Sequence, residues 1–121
     1  MNRLLIVDDH ILFREGLSSI INGWKNFQVV GTAADGQQAI EMAREYCPQM
    51  ILMEIDLPGI NGLDAARQIL HELPETKIVL MTLSENKEFK DHALNSGAKG
   101  LILKDIPCEN LRKHLQSILQ G

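Results

Sequence analysis

MILMEIDLPGING, residues 50–62, decides how the rest of the chain is read. Its first four residues, Met50, Ile51, Leu52 and Met53, are apolar without alternation, the pattern of a strand buried on both faces of a parallel sheet. The run stops at Glu54, a second acid follows at Asp56, and Pro58-Gly59 with Asn61-Gly62 supply two turn signals. Glu54 is thus placed where a buried strand opens into a loop. Ligands of open α/β sheets gather at the carboxyl ends of the strands, which makes an acid there a candidate for chemistry. An acid that merely solvates a strand end is the competing reading.

Working outward, the same arrangement recurs. Leu4-Leu5-Ile6-Val7 is a buried strand ending at Asp8-Asp9, and Phe13, Leu17, Ile20 and Ile21 mark the helix after it. Val29-Val30 centres a shorter strand closed by Gly31. Asp35 is placed to cap a helix with Ile40, Ala43 and Cys47 on its apolar stripe, ended by Pro48. Downstream, Leu63, Ala66, Leu70 and Leu73 mark a third helix stopped by Pro74. Ile78-Val79-Leu80-Met81 ends at Thr82. Ser84 to Asn95 reads as a weakly amphipathic helix anchored by Phe89, Ala93 and Leu94, with Gly97 beyond its end. Leu101-Ile102-Leu103 ends at Lys104, and Pro107 opens a last helix carrying Leu111, Leu115, Ile118 and Leu119. Five strands alternating with five helices predict an α/β fold, a doubly wound parallel sheet with right-handed crossovers. In it Asp8, Asp9, Glu54, Thr82 and Lys104 share one edge.

Composition narrows the setting. The 121 residues are 45% hydrophobic and 23% charged, which suits one globular domain with a real core. Apolar runs of four residues are far too short for a membrane span, and no secretory leader is legible, so the cytoplasm is the expected compartment. Cys47 and Cys108 lack metal or redox spacing and are expected to be reduced and structural. A net charge of −4 with scattered lysines and arginines gives this domain no nucleic-acid footprint of its own. Met42, Met50, Met53 and Met81 read as core and Trp24 as local packing. His10, His71, His92 and His114 lack ligand spacing, and only His10 borders the acids.

Clustered carboxylates repel, so at least one would be pushed toward protonation unless a cation joins them. Magnesium is the natural candidate, since it takes oxygen ligands and keeps waters that a phosphoryl oxygen can replace. Thr82 and Lys104 then offer a hydroxyl and a point charge to the remaining phosphoryl oxygens.

These residues, in this order and spacing, resemble the receiver domain of two-component response regulators over all 121 residues. VDDHILFREGL, VVGTAADGQQAI and GAKGLILKD further resemble the NarL/FixJ branch, in which a receiver precedes a LuxR-type helix-turn-helix. The resemblance implies a flavodoxin-like fold with strand order 2-1-3-4-5. It implies Mg2+ held by Asp8, Asp9, the acid at 54 and the backbone carbonyl of Asp56, with Thr82 and Lys104 reading a phosphoryl group. It also implies a sensor histidine kinase as donor, a possible homodimer, DNA contact only through a C-terminal output domain, and a regulatory module rather than an enzyme.

Two departures stand out. The family's phosphoacceptor is aspartate, and here Glu54 is one methylene longer, so it is read as a phosphate mimic or a degenerate site. Leu101 stands where an aromatic residue is common, and Leu83 where many members have a small one; core packing is the alternative for each. A phosphorylation-independent pseudo-receiver acting by protein interaction is the runner-up. A haloacid-dehalogenase-type phosphatase is the third reading, resting on the faint Glu-x-Asp likeness alone.

Overall fold

The apolar runs become the middle of one five-stranded sheet. In the computed structural model, which describes residues 1–83 and 87–121 with the side chains of Lys87 and Phe89 left aside, β1 (Asn2–Val7), β2 (Phe27–Ala33), β3 (Met50–Glu54), β4 (Lys77–Thr82) and β5 (Gly100–Leu103) pair in parallel. Their order is β2-β1-β3-β4-β5, the flavodoxin-like order. Side chains alternate across a strand, so a sheet covered on both sides needs apolar residues at every position. Met50 to Met53 show this: all four are fully buried. Ile51 and Met53 pack with Leu5, Val7, Ile78 and Leu80 on one face, while Met50 and Leu52 pack with Leu4, Ile6, Val79 and Met81 on the other.

The helices divide accordingly. α2 (Gly36–Tyr46), α3 (Gly62–Glu72) and Ala93 of α4 (Lys87–Asn95) cover the first face; α1 (Ile11–Asn22) and α5 (Cys108–Gln120) cover the second with Leu17, Ile21, Leu111 and Leu115. Asp35 caps α2 by accepting the Gln38 amide at 2.8 Å, and Asn61 caps α3 by accepting that of Asp64 at 2.9 Å. Each such cap contributes about 1 kcal/mol.

Several sequence expectations need correction. β2 does not close at Gly31 but runs on to Ala33, because a bulge beside Val30 shifts the register from Leu4↔Val29 to Leu5↔Gly31. A Cβ on Gly31 would lie 2.5 Å from Met42 Cε, so the glycine lets that side chain rest on the strand. Cys47 is not on the α2 stripe; it is an exposed C-cap in the left-handed region (φ 44°). Ile20 and Leu94 are 39% and 55% exposed, since their helices meet the sheet along narrower faces than the spacing suggested. On α3 the expected Ala66 is fully buried and Leu63, Leu70 and Leu73 pack partly buried against the first core, while Gly62, Ala65 and Ile69 are buried as well and the small residues bring the helix axis close to the sheet. Leu83 is 74% exposed and does no core packing, whereas Leu101 does pack against the first core. Trp24 packs edge-to-face on Phe27. Ser84 and the side chain of Phe89 lie outside the described residues.

Gly62 is where fold and site meet. Its N–H donates to Ile55 O at 2.7 Å, and a Cβ would lie 2.2 Å from Glu54 O and 2.8 Å from Ile55 Cα. These are backbone atoms that cannot swing aside. Gly62→Ala is expected to cost about 1–3 kcal/mol of stability, as overpacking does, measured by urea unfolding. A loss below about 0.5 kcal/mol, the size of an ordinary surface change, would mean that α3 slides away freely.

Candidate functional site

Register brings the strand ends level. Val7 pairs with Met53, Glu54 with Met81 and Thr82 with Leu103, so the residues at and after those ends meet along one edge. The pairing continues past the strands: Asp8 N–H donates to Ala33 O (3.0 Å), Ile55 N–H to Met81 O (3.0 Å) and Lys104 N–H to Thr82 O (2.9 Å). Asp8, Glu54 and Thr82 are all buried there.

Lys104 is the hub. Its Nζ lies 2.7 Å from Asp8 Oδ2 and 3.0 Å from Glu54 Oε1, with all three side chains at most 5% exposed. The ammonium also sits 4.7 Å from the centre of the Phe13 ring, a favourable cation–π position. Burial pulls the Lys104 pKa down, but hydrogen bonding to Asp8 and Glu54 and their charges outweigh it, so the ammonium is held above the ordinary lysine value of 10.5.

Glu54 uses its extra methylene to fold back. While Oε1 meets Lys104, Oε2 accepts from the N–H of its own neighbour Ile55 at 2.8 Å, sharing that donor with Met81 O. Both carboxylate oxygens are thereby engaged. Among the described residues the group of close potential metal ligands is Asp8, Asp9 and His10, and Glu54 stands outside it. Asp56 follows at the exposed start of the loop, and Thr82 is buried at the end of β4 and is itself engaged in an interaction.

The acids fit a dication. Asp8 Oδ1 accepts the His10 amide at 2.9 Å, while the buried Oδ2 is met by the Lys104 ammonium at 2.7 Å. Asp8, Asp9 and Glu54 are three carboxylates against the Lys104 ammonium and the Arg14 guanidinium, which leaves the edge net negative. Asp8 and Asp9 are the residues that would hold Mg2+, which when bound supplies charge compensation to an incoming phosphoryl group.

Sequence reading undervalued His10 and missed Phe13 and Arg14. His10 Nδ1 is 3.1 Å from Asp8 Oδ1 and 3.4 Å from Asp9 Oδ1, and Arg14 Nη1 donates to Asp8 O at 2.8 Å. The available signal was position alone: all three lie within the first turn after the paired acids. His71, His92 and His114 are not brought to this edge.

A doubly wound sheet with paired acids after its first strand, an acid after its third, a threonine after its fourth and a lysine after its fifth defines the receiver class. Residues 4–116 match the response regulator receiver domain model, and the chain belongs to that family. Within it the similarity runs to the NarL branch. The chain is 40% identical over 120 residues to the oxygen regulatory protein NreC of Staphylococcus aureus, covering 98% of this chain and 55% of that one. It is 34% identical over 119 residues to the transcriptional regulatory protein DegU of Brevibacillus brevis, covering 98% and 50%. The signal receiver domain of the putative response regulator NarL from Mycobacterium tuberculosis superposes with a TM-score of 0.93 at 31% identity, over 99% of this chain and 97% of that one. The chain thus spans about half the length of the curated relatives it matches.

Proposed function

We propose that the chain is the receiver of a two-component transcription regulator whose switch is biased by Glu54. The observation that carries this reading is the buried Glu54–Lys104 pair at 3.0 Å. The lysine that would read a phosphoryl group already has a carboxylate on it. The bias is partial, because a phosphoryl group contributes about −1.5 to −2 charge and three acceptor oxygens, whereas glutamate contributes one charge and two oxygens. One of those two is turned back to the Ile55 amide.

In the full reading a sensor histidine kinase is the phosphodonor partner, Mg2+ sits at Asp8 and Asp9, and a LuxR-type output domain following residue 121 contacts DNA. The matched relatives are about twice this length and include a transcriptional regulatory protein, which supports that arrangement. The setting is cytoplasmic; no helix among the described residues is long and apolar enough to cross a membrane. The module regulates and does not turn over a substrate. Self-association is part of the reading, supported by Ile11 and Leu12 of α1, 58% and 86% exposed. Sedimentation equilibrium should show a concentration-dependent dimer, and a strict monomer would remove that element.

The interaction-only pseudo-receiver keeps one specific support, that both Glu54 oxygens are partnered. Intact mass after incubation with a small phosphodonor and Mg2+ separates the two. A phosphoryl gain by the Glu54→Asp variant and not by the unaltered chain supports a working receiver biased at one position. A gain by neither transfers the reading to the pseudo-receiver.

A further inference from the structure

Lys104 is anchored at its root and has to be held again at its tip. Its N–H donates to Thr82 O at 2.9 Å, which fixes the backbone just past β5. Beyond that root a lysine is a flexible four-carbon stem carrying a compact charge. At the tip, Nζ meets Asp8 Oδ2 at 2.7 Å and Glu54 Oε1 at 3.0 Å, with His10 Nδ1 farther off at 3.5 Å. The remaining contact is of another kind, the Phe13 ring, whose centre lies 4.7 Å from Nζ.

These partners differ in what they leave the ammonium able to do. A carboxylate neutralises the charge and competes for it with a phosphoryl oxygen. An aromatic face attracts a cation through the ring quadrupole and leaves its full charge in place. The placement of Phe13 fits that use. Of the three apolar residues that open α1, Ile11 and Leu12 are largely exposed, whereas Phe13 packs against the second core. Phe13 and Lys104 also line the same apolar hollow of about 250 Å3 between α1 and α5, with Leu17, Ile20, Ile106 and Leu111. The other described residues of that wall are aliphatic or sulfur-bearing, so Phe13 is the aromatic face it offers to the cation. Any apolar side chain could fill the space; attraction to the ammonium needs the ring.

We propose that Phe13 is a positioning residue for Lys104, its ring face holding the ammonium at the carboxyl edge without neutralising it, so that the charge stays aimed at an incoming phosphoryl group. The proposal deepens the receiver reading and rests on Lys104 as the cation that meets that group. Phe13 itself touches neither the phosphoryl group nor the acids in this scheme; it acts through the lysine.

The test weakens the ring face while keeping its shape. Phe13 is replaced in turn by mono-, di- and trifluorophenylalanine, both in the unaltered 121-residue chain and in Glu54→Asp. Each fluorine withdraws electron density from the face and adds little volume, so a residue that only fills space shows no graded response. A desolvated cation–π contact is worth on the order of a tenfold change in rate. Phosphoryl gain by Glu54→Asp from acetyl phosphate and Mg2+, timed by intact mass, is expected to slow stepwise, by about tenfold across the series. In the unaltered chain the Lys104 ammonium protons, followed by NMR, should exchange with water faster at each step. A phosphorylation rate that stays flat along the series overturns the proposal, whatever the exchange shows, and leaves the receiver reading standing. If Glu54→Asp gains no phosphoryl group with Phe13 intact, the working-receiver reading falls by itself. The ammonium exchange then decides the positioning role: a stepwise rise supports the hold of Phe13 on Lys104, and a flat response overturns it.

Discussion

Replacing Glu54 by aspartate is expected to turn an inert carboxylate into a phosphoacceptor. Phosphotransfer requires a carboxylate oxygen in line with the phosphorus as the bond to the leaving group breaks, and a displacement of roughly 1 Å can cost on the order of a hundredfold. One methylene shifts the carboxyl group by about one C–C bond, ~1.5 Å. In this chain the longer arm also places one oxygen on Lys104 and the other on the Ile55 amide, so neither is free to attack. Incubated with a small phosphodonor and Mg2+, the Glu54→Asp variant should gain one phosphoryl group by intact mass. The unaltered chain should react at least about a hundredfold more slowly. A gain at Glu54 itself, located by peptide mapping, would show that the carboxylate leaves both partners easily and would remove the structural basis for a biased switch.

Removing the Lys104 charge is expected to be the most destabilising single change at the site. Lys104→Met keeps much of the side chain's length but removes the ammonium over Phe13 and leaves Asp8 and Glu54 as buried carboxylates without their cation. Breaking a buried ion pair from one side costs about 3–5 kcal/mol, a large part of a domain stability of about 5–15 kcal/mol. Urea unfolding at neutral pH should show that loss, and adding Glu54→Gln should recover part of it by removing one stranded charge. The pH dependence has a definite sign. Because the folded-state Lys104 pKa is raised above 10.5, its stabilising contribution is complete below the ordinary value and is lost as pH rises through the raised one. The unaltered chain should therefore lose stability on that alkaline limb, and Lys104→Met should lack this component. A loss below about 1 kcal/mol, within the range of an exposed pair, would show that water reaches these carboxylates and that the hub contributes little.

The legible part of the fold was the part written as uninterrupted apolar runs. Leu4–Val7, Met50–Met53 and Ile78–Met81 became the three central strands because a strand buried on both faces has no place for a polar residue before its end. The polar residue that closes each run then marks a strand end, and parallel pairing carries those ends to one edge. β2 was less legible. It lies at the sheet margin, tolerates Gln28 and Thr32, and contains a bulge that no local pattern announces. The α3 stripe of Leu63, Ala66, Leu70 and Leu73 does face the core, but close approach to the sheet also buries Gly62 and Ala65, residues whose value lies in what they leave out and which hydrophobic spacing does not mark.

By itself the sequence determined the α/β alternation, the strand ends, and the identity of Asp8, Asp9, Glu54, Thr82 and Lys104 as the residues at the carboxyl edge of the sheet. Each follows from where an apolar run stops, which is local information. Only the tertiary structure decided who pairs with whom. Lys104 could have met any of the three carboxylates, and it is the register of β5 on β4 and of β3 on β1 that sets its ammonium against Asp8 and Glu54 together. The fold-back of Glu54 onto the Ile55 amide and the turn of His10 toward the acids likewise depend on through-space geometry. Side-chain partners at such an edge are chosen by distances of a few ångströms between segments as far apart as residues 8, 54 and 104, and no pattern within one segment encodes those distances.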